Sequence, residues 1–348
     1  MLFQRFMSSN FAAWSISGLI AGGAMLGSAH ASGATSSSVG SYAVETVKFA
    51  SGNETIVGRL LKPKGVSRGP AVVVMGPVAF VKEQSPIQYG TRLARSGFKV
   101  LVFDPRYHGE SSGKPRRFES GKAKIEDLRA AVSYLSARKD VHDEQIFVLG
   151  ICQGVNWVME AAAGDKRIRA ISLVAGHYLT PETATLYLGG KEMVRKRIAG
   201  AERARERFEA TGQVDYIPII DADNALLKAK LIAEWYAPWE SNAAWFKFRG
   251  GWENRITQMS EADIWGWNIR ETAKRITTPT LMIHADHAAS GPKIPRTIFE
   301  KLNTSDKQLV WLEGANQLQF YEDPLTIDRA TETIATAFYA RLRSEPSK

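Results

Sequence analysis

Short apolar runs recur along the chain from Val44 onward, and most alternate with amphipathic stretches. Val44 to Ala50 and Glu54 to Leu61 alternate apolar and polar residues around Ser51-Gly52-Asn53, which predicts an antiparallel hairpin. Pro70 to Gly76, Phe98 to Phe103, Gln145 to Leu149, Arg167 to Ala175, Thr278 to His284 and Lys307 to Leu312 read as further strands, several continuously apolar and so buried on both faces. Gln88 to Ser96, Lys124 to Arg138, Val155 to Ala163 and Leu325 to Leu342 read as helices between and after them. Strands alternating with helices imply right-handed crossovers and a mostly parallel, doubly wound sheet with helices on both faces.

One interval breaks this rhythm. Between His177 and Ile276 no strand pattern is visible. Lys191 to Thr211 is a charged helical segment and Leu226 to Tyr236 a second. Six tryptophans crowd this region: Trp235, Trp239, Trp245, Trp252, Trp265 and Trp267. An insertion of this size between two core strands is expected to form a helical cap. Its tryptophans either line an apolar cleft or pack the cap onto the core.

With 348 residues and 44% hydrophobic content, the chain can bury a full core. Its net charge of +9 comes from Lys and Arg interspersed with acids, not gathered in a stripe, so no nucleic-acid partner is expected. The N-terminus has a different character. Arg5 precedes the apolar stretch Phe11 to Leu26, and Ala29-His30-Ala31 supplies a small-x-small cleavage pattern. The expectation is a signal peptide over 1–31 cut after Ala31, with a periplasmic or secreted product; a retained membrane anchor is the alternative. Residues 32–41 form a Ser/Gly-rich lead-in. The core is expected over 42–177 and 276–348, and the cap over 178–275.

Candidate chemistry centres on Gly150-Ile151-Cys152-Gln153-Gly154, which holds the only cysteine. Strand, Gly-x-x-x-Gly, helix is the setting of a nucleophile elbow, where a sharp turn pushes the central side chain above the sheet. The plainer reading is a small buried Cys beside a helix-packing glycine pair. The stretches Gly76-Pro77-Val78-Ala79-Phe80, Phe103-Asp104-Pro105-Arg106-Tyr107-His108-Gly109 and Glu313-Gly314-Ala315-Asn316-Gln317 accompany it in order. Together they resemble the α/β-hydrolase family, and within it the dienelactone-hydrolase-like bacterial esterases with a Gly-x-Cys-x-Gly elbow.

The resemblance implies an α/β-hydrolase fold and a covalent acyl-Cys152 intermediate in cleavage of an ester, thioester or lactone. The tetrahedral oxyanion would be bound by the backbone N–H groups of Gln153 and Val78, since Pro77 has none. The base departs from the pattern. Gln317 stands where the family places its histidine, and an amide cannot take a proton at neutral pH. The expected acid position is Ala288, with Asp286 and His287 just before it.

Two readings follow. Either His287 activates Cys152 while Gln317, or less favourably Asp286, orients its imidazole, or the base is lost and the cleft binds an apolar ligand without turnover. His177 and His284 are expected at strand ends, hydrogen-bonded to backbone. The six histidines are scattered and no phosphate loop is present, so neither metal nor cofactor is expected. The expected partner is a small acyl substrate, and the protein a monomer or dimer.

Overall fold

The computed structural model describes residues 40–239 and 251–342; the expected leader and its cleavage point, most of the lead-in and Trp245 lie outside them. In chain order the first elements are β1 (Tyr42–Ser51), β2 (Glu54–Pro63), β3 (Gly69–Met75), α1 (Ser85–Arg95), β4 (Lys99–Phe103), α2 (Gly121–Ser136), β5 (Val141–Ile151), α3 (Gly154–Ala162) and β6 (Ile168–Val174). The cap region follows with α4 (Pro181–Leu188), α5 (Lys191–Thr211), β7 (Tyr216–Ile217), α6 (Lys230–Tyr236), β8 (Ile256–Thr257), α7 (Ser260–Trp265) and α8 (Arg270–Ala273). The chain returns to the core with β9 (Thr280–His284), α9 (Lys293–Lys301), β10 (Lys307–Trp311), α10 (Gln319–Glu322) and α11 (Pro324–Leu342).

Eight strands form one sheet in the order β1-β2-β4-β3-β5-β6-β9-β10. The hairpin is antiparallel, and β2 pairs antiparallel with β4; every pairing from β4 onward is parallel. Residues Val72, Val73 and Val74 of β3 and Phe147, Val148 and Leu149 of β5 are fully buried, as continuous apolar strands between two helical layers must be. After β3 the chain moves outward to β4 and then returns across β3 to β5. Loops leaving the C-terminal ends of β3 and β5 therefore diverge and leave a crevice between them, the usual ligand position in such sheets.

The interval after His177 is mostly helical as expected, but it is not strand-free. Tyr216 and Ile217 pair antiparallel with Thr257 and Ile256 in a two-residue ribbon. Pairing this short leaves no periodic signal to read. Trp235, Trp252 and Trp265 are buried, and none of the described tryptophans lines the central cavity. They pack instead: Trp235 lies 4.8 Å from the ring of Tyr321, Trp252 stacks on Tyr236 at 5.1 Å, and Trp267 meets Trp157 edge-on at 4.9 Å.

Candidate active site

Cys152 sits between β5 and α3 with φ 54, in the left-handed region that a non-glycine residue seldom adopts. Such a conformation costs on the order of 1–3 kcal/mol and persists only where its surroundings over-determine it. The two flanking glycines explain how. A Cβ on Gly154 would stand 2.5 Å from the Gly76 carbonyl oxygen, and one on Gly150 would stand 2.8 Å from the Val155 Cα. Any larger residue at either position would force the helix off the strand. Hydrogen bonds fix the rest of the turn: the Cys152 N–H donates to Val174 at 3.0 Å, and the Cys152 carbonyl accepts from His177 at 3.0 Å. Asn156 then ties the Gln153 and His177 carbonyls together, each at 2.8 Å.

The thiol lies in the wall of a cavity of about 280 Å³ at the crevice. Tyr187, Leu227, Ile232 and Tyr236 of the cap region line it, as do Leu186 and Leu231, which are 67% and 45% exposed. Burial pushes the thiol up to about 11. Acting against burial, the Tyr321 hydroxyl, the N–H groups of Gln153 and His177 and the Lys124 ammonium all favour the thiolate, but they do not overcome it. At neutral pH the resting sulfur is therefore a thiol. Activation needs a proton acceptor, while the groups acting most strongly on the sulfur are donors or cations.

Gln317 is buried beside this site, yet it does not orient His287. Its Oε1 accepts the Ala289 N–H at 2.7 Å, and its Nε2 donates to the Ala175 carbonyl at 3.1 Å and to the Tyr321 hydroxyl at 2.9 Å. The amide thus holds Tyr321, whose hydroxyl favours the thiolate form of Cys152. Asp286 does not line the cavity. Its carboxylate accepts from Trp311 Nε1 at 3.0 Å and the Gly314 N–H at 3.4 Å, joining the two loops. The orienting roles expected for both residues are therefore not formed. His287 does line the cavity, but as an exposed side chain whose imidazole makes no hydrogen bond among the described residues. Its backbone N–H reaches Ala315 at 3.3 Å in an isolated bridge to the next loop.

Of the other histidines, His284 is bonded to backbone as expected, with Nδ1 against Ala285 and Nε2 against Gly176. The His177 ring is not: its buried Nε2 has no partner among the described residues, and the ring stacks on Tyr187 at 4.6 Å. Burial pushes His177 down to about 4, so it is neutral.

Of the expected oxyanion donors, the Gln153 N–H already acts on the sulfur, and Val78 lines the cavity with its N–H bonded to nothing among the described residues. Tyr321 is the functional neighbour that sequence reasoning missed. Its only signal was its spacing, four residues past Gln317; it lies in α10. Among the described residues no cluster of His, Cys, Asp or Glu could hold a metal ion.

Residues 87–210 match the family described as serine aminopeptidase, S33. The crystal structure of hypothetical protein PA2218 from Pseudomonas aeruginosa superposes with a TM-score of 0.70 at 26% identity, covering 86% of this chain and 94% of that one. A polyketide transferase of Penicillium sp is 26% identical over 73% of this chain and 82% of its own length. A thiohydrolase of Eupenicillium brefeldianum is 27% identical over 71% and 75%. The chain has the α/β-hydrolase fold and is similar to proteins of that superfamily. Hydrolase-type activity is what the fold and these relatives support.

Proposed function

We propose that the protein cleaves an ester, thioester or lactone of a small apolar acyl group through an acyl-Cys152 intermediate. The observation that carries this reading is Cys152 itself, held at a left-handed elbow in the wall of an apolar cavity that Val78, its N–H bonded to nothing among the described residues, also lines. In the acylation step Sγ bonds to the acyl carbon, the carbonyl π pair moves to oxygen beside the Val78 and Gln153 N–H groups, and the leaving group departs as the pair returns. The thiol proton passes to the leaving group, with His287 as its carrier at the cavity wall. Tyr321, held by Gln317, steadies the thiolate character the sulfur gains. Water then attacks the acyl carbon, returning the acid and the thiol. The relatives' names, thiohydrolase and polyketide transferase, both describe acyl chemistry and fit a thioester donor.

The test is intact-mass spectrometry after mixing with acyl thioesters and p-nitrophenyl esters of increasing chain length. We expect an acyl adduct localised to Cys152 and release of free acid. A panel that yields neither adduct nor acid would refute the reading.

A second reading has its own observation. A thiol raised to about 11, beside an amide whose hydrogen bonds are already committed, suits a cavity that binds an apolar acyl ligand without turnover. In that case ligands bind to wild type and Cys152→Ala alike, and no acid forms. The 1–31 leader, cleaved after Ala31, gives an exported protein in either reading. Intact mass of protein from the cell envelope checks this, and a full-length mass would overturn it.

A further inference from the structure

One peptide unit of the loop after β3 is held at both ends. The Val78 carbonyl accepts the Tyr236 hydroxyl of α6 at 2.9 Å, and the Ala79 N–H donates to Glu119 Oε2 at 3.0 Å. These two groups belong to the same planar amide and point in opposite directions. We infer that Glu119 and Tyr236 are positioning residues that lock the Val78–Ala79 peptide and so keep the preceding Val78 N–H turned toward the oxyanion. The inference rests on the acyl-Cys152 chemistry proposed above and names the residues that set its oxyanion site.

Three features support a lock. Ala79 adopts φ 51, a conformation that reverts unless neighbours hold it. Glu119 is fully buried and itself fixed: its carboxylate accepts the Lys124 ammonium, and its N–H donates to Ser260 Oγ of α7 at 2.9 Å. Lys124 also lies 5.1 Å from the ring centroid of Phe80, the next residue of the loop. If the peptide flipped, its carbonyl would face the Glu119 carboxylate, two acceptors with no donor between them, and the Tyr236 hydroxyl would lose its acceptor. With the Ala79 N–H committed to Glu119 and Pro77 having none to give, Val78 is the cavity-lining residue of this stretch whose N–H has no partner among the described residues. Because Tyr236 and Ser260 both lie in the cap region, the cap reaches the oxyanion site through these two bonds.

The test compares two ligands of one shape. A trifluoromethyl ketone adds Cys152 Sγ to its carbonyl carbon, moving the π pair onto oxygen as the thiol proton leaves to water. The matching trifluoromethyl carbinol cannot add. Tyr236→Phe removes only a hydroxyl. Glu119→Met is made together with Lys124→Met, so that no acceptor for the Ala79 N–H remains and no buried charge is left alone. In each variant we expect ketone affinity and kcat to fall about 10- to 100-fold, a part of what loss of an oxyanion donor brings. Carbinol affinity and KM should stay within about twofold.

Equal losses for both ligands, or an unchanged ketone-to-carbinol ratio in variants that melt like wild type, would overturn the positioning role. Amide hydrogen exchange at Ala79 decides the lock separately. It should speed up about tenfold or more in both variants while Val148 stays protected, and unchanged Ala79 exchange would overturn the inference. A wild-type protein that forms no ketone adduct would refute the acyl-Cys152 reading and leave the exchange result standing on its own.

Discussion

The two sides of the Cys152 cavity are built by different rules. On the elbow side, backbone sterics decide nearly everything. Gly150 and Gly154 admit no side chain, Cys152 is forced left-handed, and the neighbouring peptide at Val78 is pinned from both ends. On the opposite side, the loops after β9 and β10 are joined by side chains. Asp286 reaches Trp311 and Gly314, and Gln317 reaches Ala289, Ala175 and Tyr321. Backbone constraint keeps a nucleophile's place through wide sequence change. Side-chain networks can be rewired one residue at a time, and this is the side that carries Gln317 where a histidine was expected.

The largest expected effect breaks the elbow side alone. Cys152→Ala should lower turnover on the order of 10⁴-fold or more, with melting within a few degrees of wild type, because only one small group leaves a turn whose glycines remain. Steady-state assay beside thermal melting checks it, and retained activity removes Cys152 from the mechanism.

Next comes His287→Ala. If its imidazole carries the proton, kcat/KM at pH 7 should fall about 100-fold or more, and the pH–rate profile should lose an inflection. An unaltered profile would leave the site without a histidine base.

Gln317→His sharpens the comparison further. In a catalytic site this change should lower activity roughly tenfold, since an imidazole cannot hold Ala289, Ala175 and Tyr321 at once. A rise of 10² or more would instead mean that the wild-type side lacks a working base, as the binding-only reading requires.

The smallest effect is thermodynamic. Burial raises the folded thiol from 9.0 to about 11, so the unfolded chain loses this proton first. The stability tied to it is whole below pH 9 and disappears as pH climbs through 11, roughly 3 kcal/mol for two pKa units. The urea midpoint of wild type should fall relative to that of Cys152→Ala across that range. A constant difference would show that the folded thiol titrates as it does in the unfolded chain.

The core elements and the turn that holds Cys152 were legible because their signals are local. Continuous apolar runs marked β3 to β6 within a few residues, and Lys191–Thr211 was read with the bounds it has. The strand–Gly-x-x-x-Gly–helix context placed Cys152. Short pieces went unseen: the β7–β8 ribbon has two residues per strand, and α10 has four, too few for any period. Side-chain partners went unseen for another reason. A sequence states which groups can donate or accept, not which of several acceptors wins. So Gln317 was expected to orient His287 and binds Tyr321 instead, and Asp286, the weaker candidate for that role, binds Trp311.

Sequence by itself determined the doubly wound sheet, the position of the elbow and the absence of a histidine at residue 317, because burial patterns and glycine spacing act over a few neighbours. Only the tertiary structure decided that Tyr321 meets the sulfur, that the thiol is raised and not lowered, and that the described tryptophans pack while tyrosines and leucines line the cavity. Each of these depends on how deeply a group is buried and on which elements, distant in the chain, arrive beside it. Desolvation is a property of the packed whole: the same cysteine beside the same helix would be more acidic in an open crevice.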